Sequence, residues 1–273
     1  MYSLTYKGKD VKKKQIKIQM RDHQSIKVDI FYPKYKATLS KALLYFPGGG
    51  FMMCATHIHK KNLCHIVKRT KSIGIMVHYR LAPKYPFPTA FYDAIDVYKY
   101  VYENAKTLGI DQNLIGLGGD SAGGNLACGL ALYNQDYIHY PLKSLLLVYP
   151  GLAKGISTPS RMNYTDAPMF NASMFPLIEK VYFKNGIDDL EPYAFPLLHQ
   201  NIHSIGSVYI ETAEFDCLVD EGKAFHELLL KSNISSILHE TKGTVHGYDV
   251  VQRSKITQES IQKRCDFLTS TLK

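Results

Sequence analysis

Residues 119–123 read Gly119-Asp120-Ser121-Ala122-Gly123, with Gly124 following. In this G-x-S-x-G pattern the serine is the group able to do chemistry. A short apolar run, Leu114–Leu117, precedes it, and a helix-period segment opens at Ala122. A sharp strand-to-helix turn there would strain Ser121, expose its hydroxyl and set the Ala122 N–H beside it. Glycines at 119 and 123 remove the side chains that would collide in such a turn. The chemistry this permits is nucleophilic attack on a carbonyl. The plainer alternative is a glycine-rich phosphate-binding turn, but the chain lacks both G-x-x-x-x-G-K-S/T and G-x-G-x-x-G at this point.

An attacked carbonyl needs donors for its developing negative charge. Pro47-Gly48-Gly49-Gly50-Phe51 directly follows the apolar run Ala42–Phe46. Successive glycines let backbone N–H groups face inward, so Gly49, Gly50 and Ala122 are the expected oxyanion donors. A serine also needs a base, and eleven histidines are available. His246 sits in Lys242-Gly243-Thr244-Val245-His246-Gly247-Tyr248, a glycine-flanked loop after the alternating run Ser236–Glu240. His78 lies in a buried run, where a packing role is expected, and His57 and His59 follow the glycine loop. An acid must orient the base. Asp216 follows the run Val208–Thr212 and is the candidate, with Glu214 the weaker rival; Asp220 is expected to cap the next helix. Phe51, His57, Met169 and Phe170 are the expected substrate contacts.

Elements must bring these residues together. Alternating residues at Gln15–Met20 and Ser25–Tyr32, joined by Arg21–Gln24, predict an antiparallel strand pair. Ala42–Phe46, Ile73–Tyr79, Leu114–Leu117, Leu145–Tyr149 and Val208–Thr212 are continuous apolar runs, as in strands covered on both faces of a parallel sheet. Helical periods fall at His57–Thr70, Thr89–Leu108, Ala122–Gln135, Ser173–Phe183, Glu221–Ser232 and Ser254–Thr271. Strand alternating with helix predicts a doubly wound α/β sheet, with ligands at the carboxyl ends of its strands. Gly151–Glu191, rich in Pro, Gly, Ser, Asn and aromatics, interrupts the alternation and is expected to form a cap or lid of one or two helices. The expectation is a single domain over 1–273.

Four stretches together resemble the hormone-sensitive-lipase-like esterases of the α/β-hydrolases. They are Pro47–Phe51; Tyr79-Arg80-Leu81-Ala82-Pro83 with Pro86-Phe87-Pro88; Gly119–Ala127; and Asp216–Gly222 with His246-Gly247-Tyr248. The chain order Ser121, Asp216, His246 is that of α/β-hydrolases. The resemblance implies an α/β-hydrolase fold, a mostly parallel doubly wound sheet with an antiparallel N-terminal strand pair and a small cap. It implies a carboxylesterase acting on small esters, without metal or cofactor. Ser121 would be nucleophile, His246 base, Asp216 orienting acid, and Gly49, Gly50 and Ala122 oxyanion donors. Pro47 stands where the family has a histidine that shapes the glycine loop. The stretch from Tyr79 to Pro88 reads as structural, with Arg80 paired to an acid such as Asp93. A serine peptidase or acyltransferase with the same residues, or a non-catalytic small-molecule receptor, are the alternatives.

Composition narrows the remainder. The chain has 273 residues, of which 45% are apolar and 21% charged, an ordinary globular balance. No apolar stretch reaches the ~18 residues of a membrane span, and Met1–Lys14 has no apolar signal core, which points to the cytoplasm. Five scattered cysteines show no metal-site spacing. The net charge of +9 is spread along the chain and no nucleic-acid motif accompanies it, so neither nucleic acid nor membrane is an expected partner. Three Asn-x-Ser/Thr matches, at Asn163, Asn171 and Asn233, read as chance. The sequence leaves a homodimer open.

Overall fold

A computed structural model describes residues 10–35, 37–155 and 158–273. The first nine residues of the polar N-terminus, and residues 156 and 157 of the expected cap, lie outside the described residues. The apolar runs become strands of one eight-stranded sheet: β1 (Val11–Gln19), β2 (Ser25–Pro33), β3 (Ser40–Phe46), β4 (Ile73–Val77), β5 (Ile110–Asp120), β6 (Ser144–Val148), β7 (Ser207–Phe215) and β8 (Ser236–Val245). Their order is β1-β2-β4-β3-β5-β6-β7-β8. The β1–β2 and β2–β4 pairs are antiparallel and the others parallel. This is the expected arrangement. The helices are α1 (His57–Thr70), α2 (Thr89–Glu103), α3 (Ala105–Leu108), α4 (Ala122–Tyr133), α5 (Pro159–Asn163), α6 (Phe175–Tyr182), α7 (Glu191–Ala194), α8 (Val219–Lys231) and α9 (Lys255–Thr271).

Alternation along β3 shows how the layers form. Ala42, Leu44 and Phe46 enter the larger core with residues of α2, α4 and α8. Leu43 and Tyr45 point to the other face, where α1 and α9 supply Leu63, Val67, Ile261 and Leu268. Strand order reverses between β3 and β5, which makes their carboxyl ends the switch point where open α/β sheets bind ligands.

Several boundaries differ from the sequence pattern for local reasons. Asn104 divides the expected 89–108 helix: its side-chain amide donates to the Tyr100 carbonyl at 2.9 Å, a local bond that competes with the helix. The polar Asp111-Gln112-Asn113 stretch belongs to β5, which starts at Ile110 opposite Ser40, with a register shift before Ala42 pairs Ile115. The helix from Ala122 ends at Tyr133 and gives way to a π turn over Asn134–Ile138. Within the stretch expected to form a cap, a 3-10 turn over Ala172–Met174 precedes α6, with Pro176 in its first turn. Asp220 is not a cap: Leu218 holds that position, and the Asp220 carboxylate accepts from the Ser160 N–H at 2.8 Å.

Candidate active site

Sheet register brings the equipped loops to one edge. Phe46 pairs with Gly119, Val148 with both Asp120 and Glu211, and Phe215 with Val245. The glycine loop, Ser121, Tyr149, Asp216 and His246 therefore leave neighbouring strands side by side.

Ser121 has φ 53° and ψ −123°, a conformation costing a non-glycine residue about 1–3 kcal/mol. The turn is held by its N–H donating to the Val148 carbonyl at 2.9 Å, and by its own carbonyl accepting from the Asn125 N–H at 3.0 Å. A Cβ at Gly119 would fall 2.3 Å from the Gly123 carbonyl oxygen, and one at Gly123 2.0 Å from that of Phe46. Only glycine permits this approach of turn to strand.

The Ser121 Oγ lies 2.9 Å from His246 Nε2, and His246 Nδ1 lies 2.7 Å from Asp216 Oδ2. A carboxylate can only accept, so the ring proton sits on Nδ1 and Nε2 is left to accept from the serine. Asp216 is fully buried, and its other oxygen accepts from the Leu218 N–H at 3.0 Å. Burial opposes charge on the His246 ring, but the Asp216 carboxylate outweighs it, with smaller help from Asp120 and Asp249. The pKa of His246 is consequently raised. Glu214 points elsewhere, accepting from the Gly243 N–H at 2.7 Å beside Lys242.

The glycine loop curls through positive φ at Gly49 (136°) and Gly50 (58°). The Gly49 carbonyl accepts from the N–H groups of Met52 and Met53, and the Pro47 carbonyl accepts from the Tyr79 hydroxyl at 2.6 Å. The loop is thus anchored with proline at its head. Neither the Gly49 nor the Gly50 N–H finds a backbone acceptor among the described residues. The Ala122 N–H, at the first position of α4, has none within its helix.

Behind His246 lies a buried ionic cluster. Arg264 on α9 donates from Nε to Glu211 Oε2 at 3.0 Å and from Nη1 to Asp249 Oδ2 at 2.9 Å. Glu211 also accepts from the Tyr248 hydroxyl, and Asp249 from the Tyr149 hydroxyl and the Asn62 amide. Burial pushes the Glu211 carboxyl up, but Arg264 outweighs it and holds it below the usual range. Both residues after Gly247 in the His246 loop are thereby tied to one helix, and the Tyr149 ring rests 4.7 Å from the imidazole.

Two openings meet at Ser121, Gly50 and Phe170. The first, about 540 Å³, is walled by Phe51, Phe170, Phe175, Ile178, Phe183 and Phe195. The second, about 870 Å³, includes His246, His59, Asp120, Met169, Asp249 and Val250. Phe51 stacks on Tyr182 with centroids 3.9 Å apart. Arg161 lies under the first opening, with its guanidinium 3.7 Å from the Phe175 ring centre and its Nε donating to Glu221.

Of the expected substrate contacts, Phe51, Met169 and Phe170 line these openings. His57 lines neither and must be corrected: it is the exposed first residue of α1. His59, two residues on, turns back to the Thr56 N–H in a capping box and faces the second opening. Arg80 pairs with Asp93 as expected, with Nη2 2.6 Å from Oδ1. Sequence reading gave no role to Asp120, Tyr149, Asp249, Arg161 or Arg264. Asp120 alone carried a signal, as a variable position inside the serine motif.

A family profile described as alpha/beta hydrolase fold matches residues 43–250. Esterase LipI of Mycobacterium tuberculosis is 32% identical over 208 residues, covering 76% of this chain and 65% of LipI. The chain thus spans just under two thirds of LipI. Carboxylesterase NlhH of the same organism is 30% identical over 227 residues, covering 82% of this chain and 71% of its own. A solved bacterial heroin esterase superposes with a TM-score of 0.93 at 27% identity, covering 99% of this chain and 87% of that one. The fold, the profile match and these relatives agree: the chain belongs to the α/β-hydrolase family, in its hormone-sensitive-lipase-like esterase branch.

Proposed function

We propose that this chain is a carboxylesterase that hydrolyses small esters, preferring short acyl chains, through an acyl-enzyme on Ser121. The reading is carried by one observation, the unbroken contact from Asp216 through His246 to Ser121, beside the N–H groups of Gly49, Gly50 and Ala122, which find no backbone acceptor among the described residues. His246 takes the serine proton as Oγ attacks the carbonyl carbon. Gly49, Gly50 and Ala122 donate to the resulting oxyanion. His246 returns the proton to the leaving alcohol, and water repeats the sequence to free the acid.

The two openings suggest where each half of the ester sits. The departing oxygen must collect a proton from His246, which lines only the second opening. The alcohol therefore occupies that wider space, and the acyl group the ring-walled one. Phe183 and Phe195 are among the bulky rings lining the latter, which favours short or compact acyl groups. Residues 151–191 act as the cap, contributing Ala153, Phe170, Phe175 and Ile178 to the same wall. Among the described residues no helix is long and apolar enough to cross a membrane.

Labelling with a fluorophosphonate, followed by peptide mapping, tests the reading. The label is expected on Ser121 and absent from Ser121→Ala; a label on another residue, or none, would overturn it. Comparing an ester with the matching amide, with and without an acceptor alcohol, separates hydrolysis of esters from peptidase and acyltransferase activity.

A further inference from the structure

The geometry points to His59 as a positioning residue that fixes the oxyanion loop through Asp120. This role rests on the hydrolase reading, since it concerns the donors assigned there to Gly49 and Gly50. Asp120 directly precedes Ser121 and is buried. Its Oδ1 accepts from the Tyr45 hydroxyl at 2.6 Å. Its Oδ2 accepts from the Gly48 N–H at 3.0 Å and from His59 Nε2 at 3.1 Å. The glycine loop leans on this carboxylate: a Cβ at Gly48 would lie 2.4 Å from Asp120 Oδ2 and 3.1 Å from the Ser121 Cβ. The position of the Asp120 side chain therefore sets the distance between nucleophile and loop.

His59 is itself held in one state. The Thr56 N–H donates to its Nδ1 at 2.9 Å, so the ring proton lies on Nε2 and is donated to Asp120. The ring belongs to the first turn of α1, a helix packed against α9. A line of contacts thus runs from that helix through His59 and Asp120 to the peptide just before the two donors. Without His59, Oδ2 keeps only the Gly48 N–H, and the carboxylate is free to rotate about its bond to Tyr45 and carry the loop with it. His59 forms no hydrogen bond with Ser121 or His246 among the described residues, so its influence passes through Asp120. Small displacements of preorganised donors are expensive, because those donors act only where the oxyanion forms.

The test compares wild type with His59→Leu, which has no donor for Asp120, and Tyr45→Phe on p-nitrophenyl acetate. It also measures affinity for an aryl trifluoromethyl ketone, which adds Ser121 to form a tetrahedral oxyanion, and for the matching methyl ketone, which stays trigonal. For His59→Leu, kcat should fall about 10- to 100-fold, less than loss of a whole donor. KM should stay within roughly twofold, and trifluoromethyl ketone affinity should fall by the same factor as kcat, with methyl ketone affinity unchanged. Tyr45→Phe removes only the hydroxyl on the other Asp120 oxygen and should show the same selective pattern, more weakly. If His59→Leu does not fold, Tyr45→Phe still tests the Asp120 step on which the role depends. Unchanged kcat, or equal loss of both ketones, in the variant that folds overturns the role while leaving the hydrolase reading intact. A wild type inert towards the ester overturns that reading and this role with it.

Discussion

The two sides of Ser121 are made of different material. Behind the imidazole, α9, β7 and the His246 loop are joined by Arg264, Glu211 and Asp249, charged groups removed from water and bonded on almost every polar atom. Across the serine, the wall of the first opening, proposed to hold the acyl group, is chiefly aromatic and aliphatic, with one buried ion pair, Arg161–Glu221, beneath it. Directional bonds fix angles, whereas ring packing tolerates exchange of one apolar group for another. Proton transfer needs the first property and accommodation of varied acyl groups needs the second. Errors on the two sides should therefore have different consequences: lost turnover or stability on one, altered preference on the other.

The largest effects test the machinery shared by both sides. Ser121→Ala should reduce kcat by up to ~10⁶-fold, and Asp216→Asn by ~10⁴-fold through the wrong ring tautomer, with KM little changed in each. Steady-state kinetics of purified variants measures this; a residual rate near wild type would break the comparison at its centre. Next comes Arg264→Met, which strands two carboxylates in the core. Urea unfolding should reveal a loss of about 3–5 kcal/mol, and a surface-like loss below ~1 kcal/mol would show that the ionic brace carries no weight.

The pH profile sharpens the ionic side further. His246 must start neutral, and its pKa is raised above the ordinary 6.5. The acid limb of kcat/KM should therefore bend above pH 6.5 and fall about tenfold per pH unit below the bend. Asp249→Asn removes a carboxylate that favours the imidazolium, so the bend should move to lower pH. The smallest expected effect lies on the aromatic side. Phe183→Ala should shift the ratio of hexanoyl to acetyl ester turnover about tenfold towards the longer chain, with kcat on acetate nearly kept. An unchanged ratio would move the acyl group out of that opening.

Much of this arrangement could be read in the chain because each reactive residue follows an apolar run. The G-x-S-x-G motif marks Ser121, the loops after strand-like runs mark Asp216 and His246, and α1 has the expected bounds at both ends. Strand β1 begins at Val11, before the alternating stretch, where it pairs with the end of β2 and Lys13 Nζ lies 2.9 Å from the buried Asp29 of that strand. His59 was not separable from His57, since a capping box turns one ring inward and leaves the other in water, and spacing alone does not show which. Arg264 was hidden more deeply. One arginine in an amphipathic helix looks like solvated surface, and only the meeting of β7, α9 and the His246 loop makes it a buried counter-ion. The division at Asn104 depended likewise on a single side-chain bond.

Under the proposed mechanism, the shared rim of the two openings also determines traffic. Once the alcohol departs, its chamber stands empty while the other remains plugged by the covalently held acid. The molecule that ends the cycle must enter through the vacated door, so alcohol is released first and acid last. When methanol or ethanol crowds out water at that door, the same residues will remake an ester instead of freeing the acid.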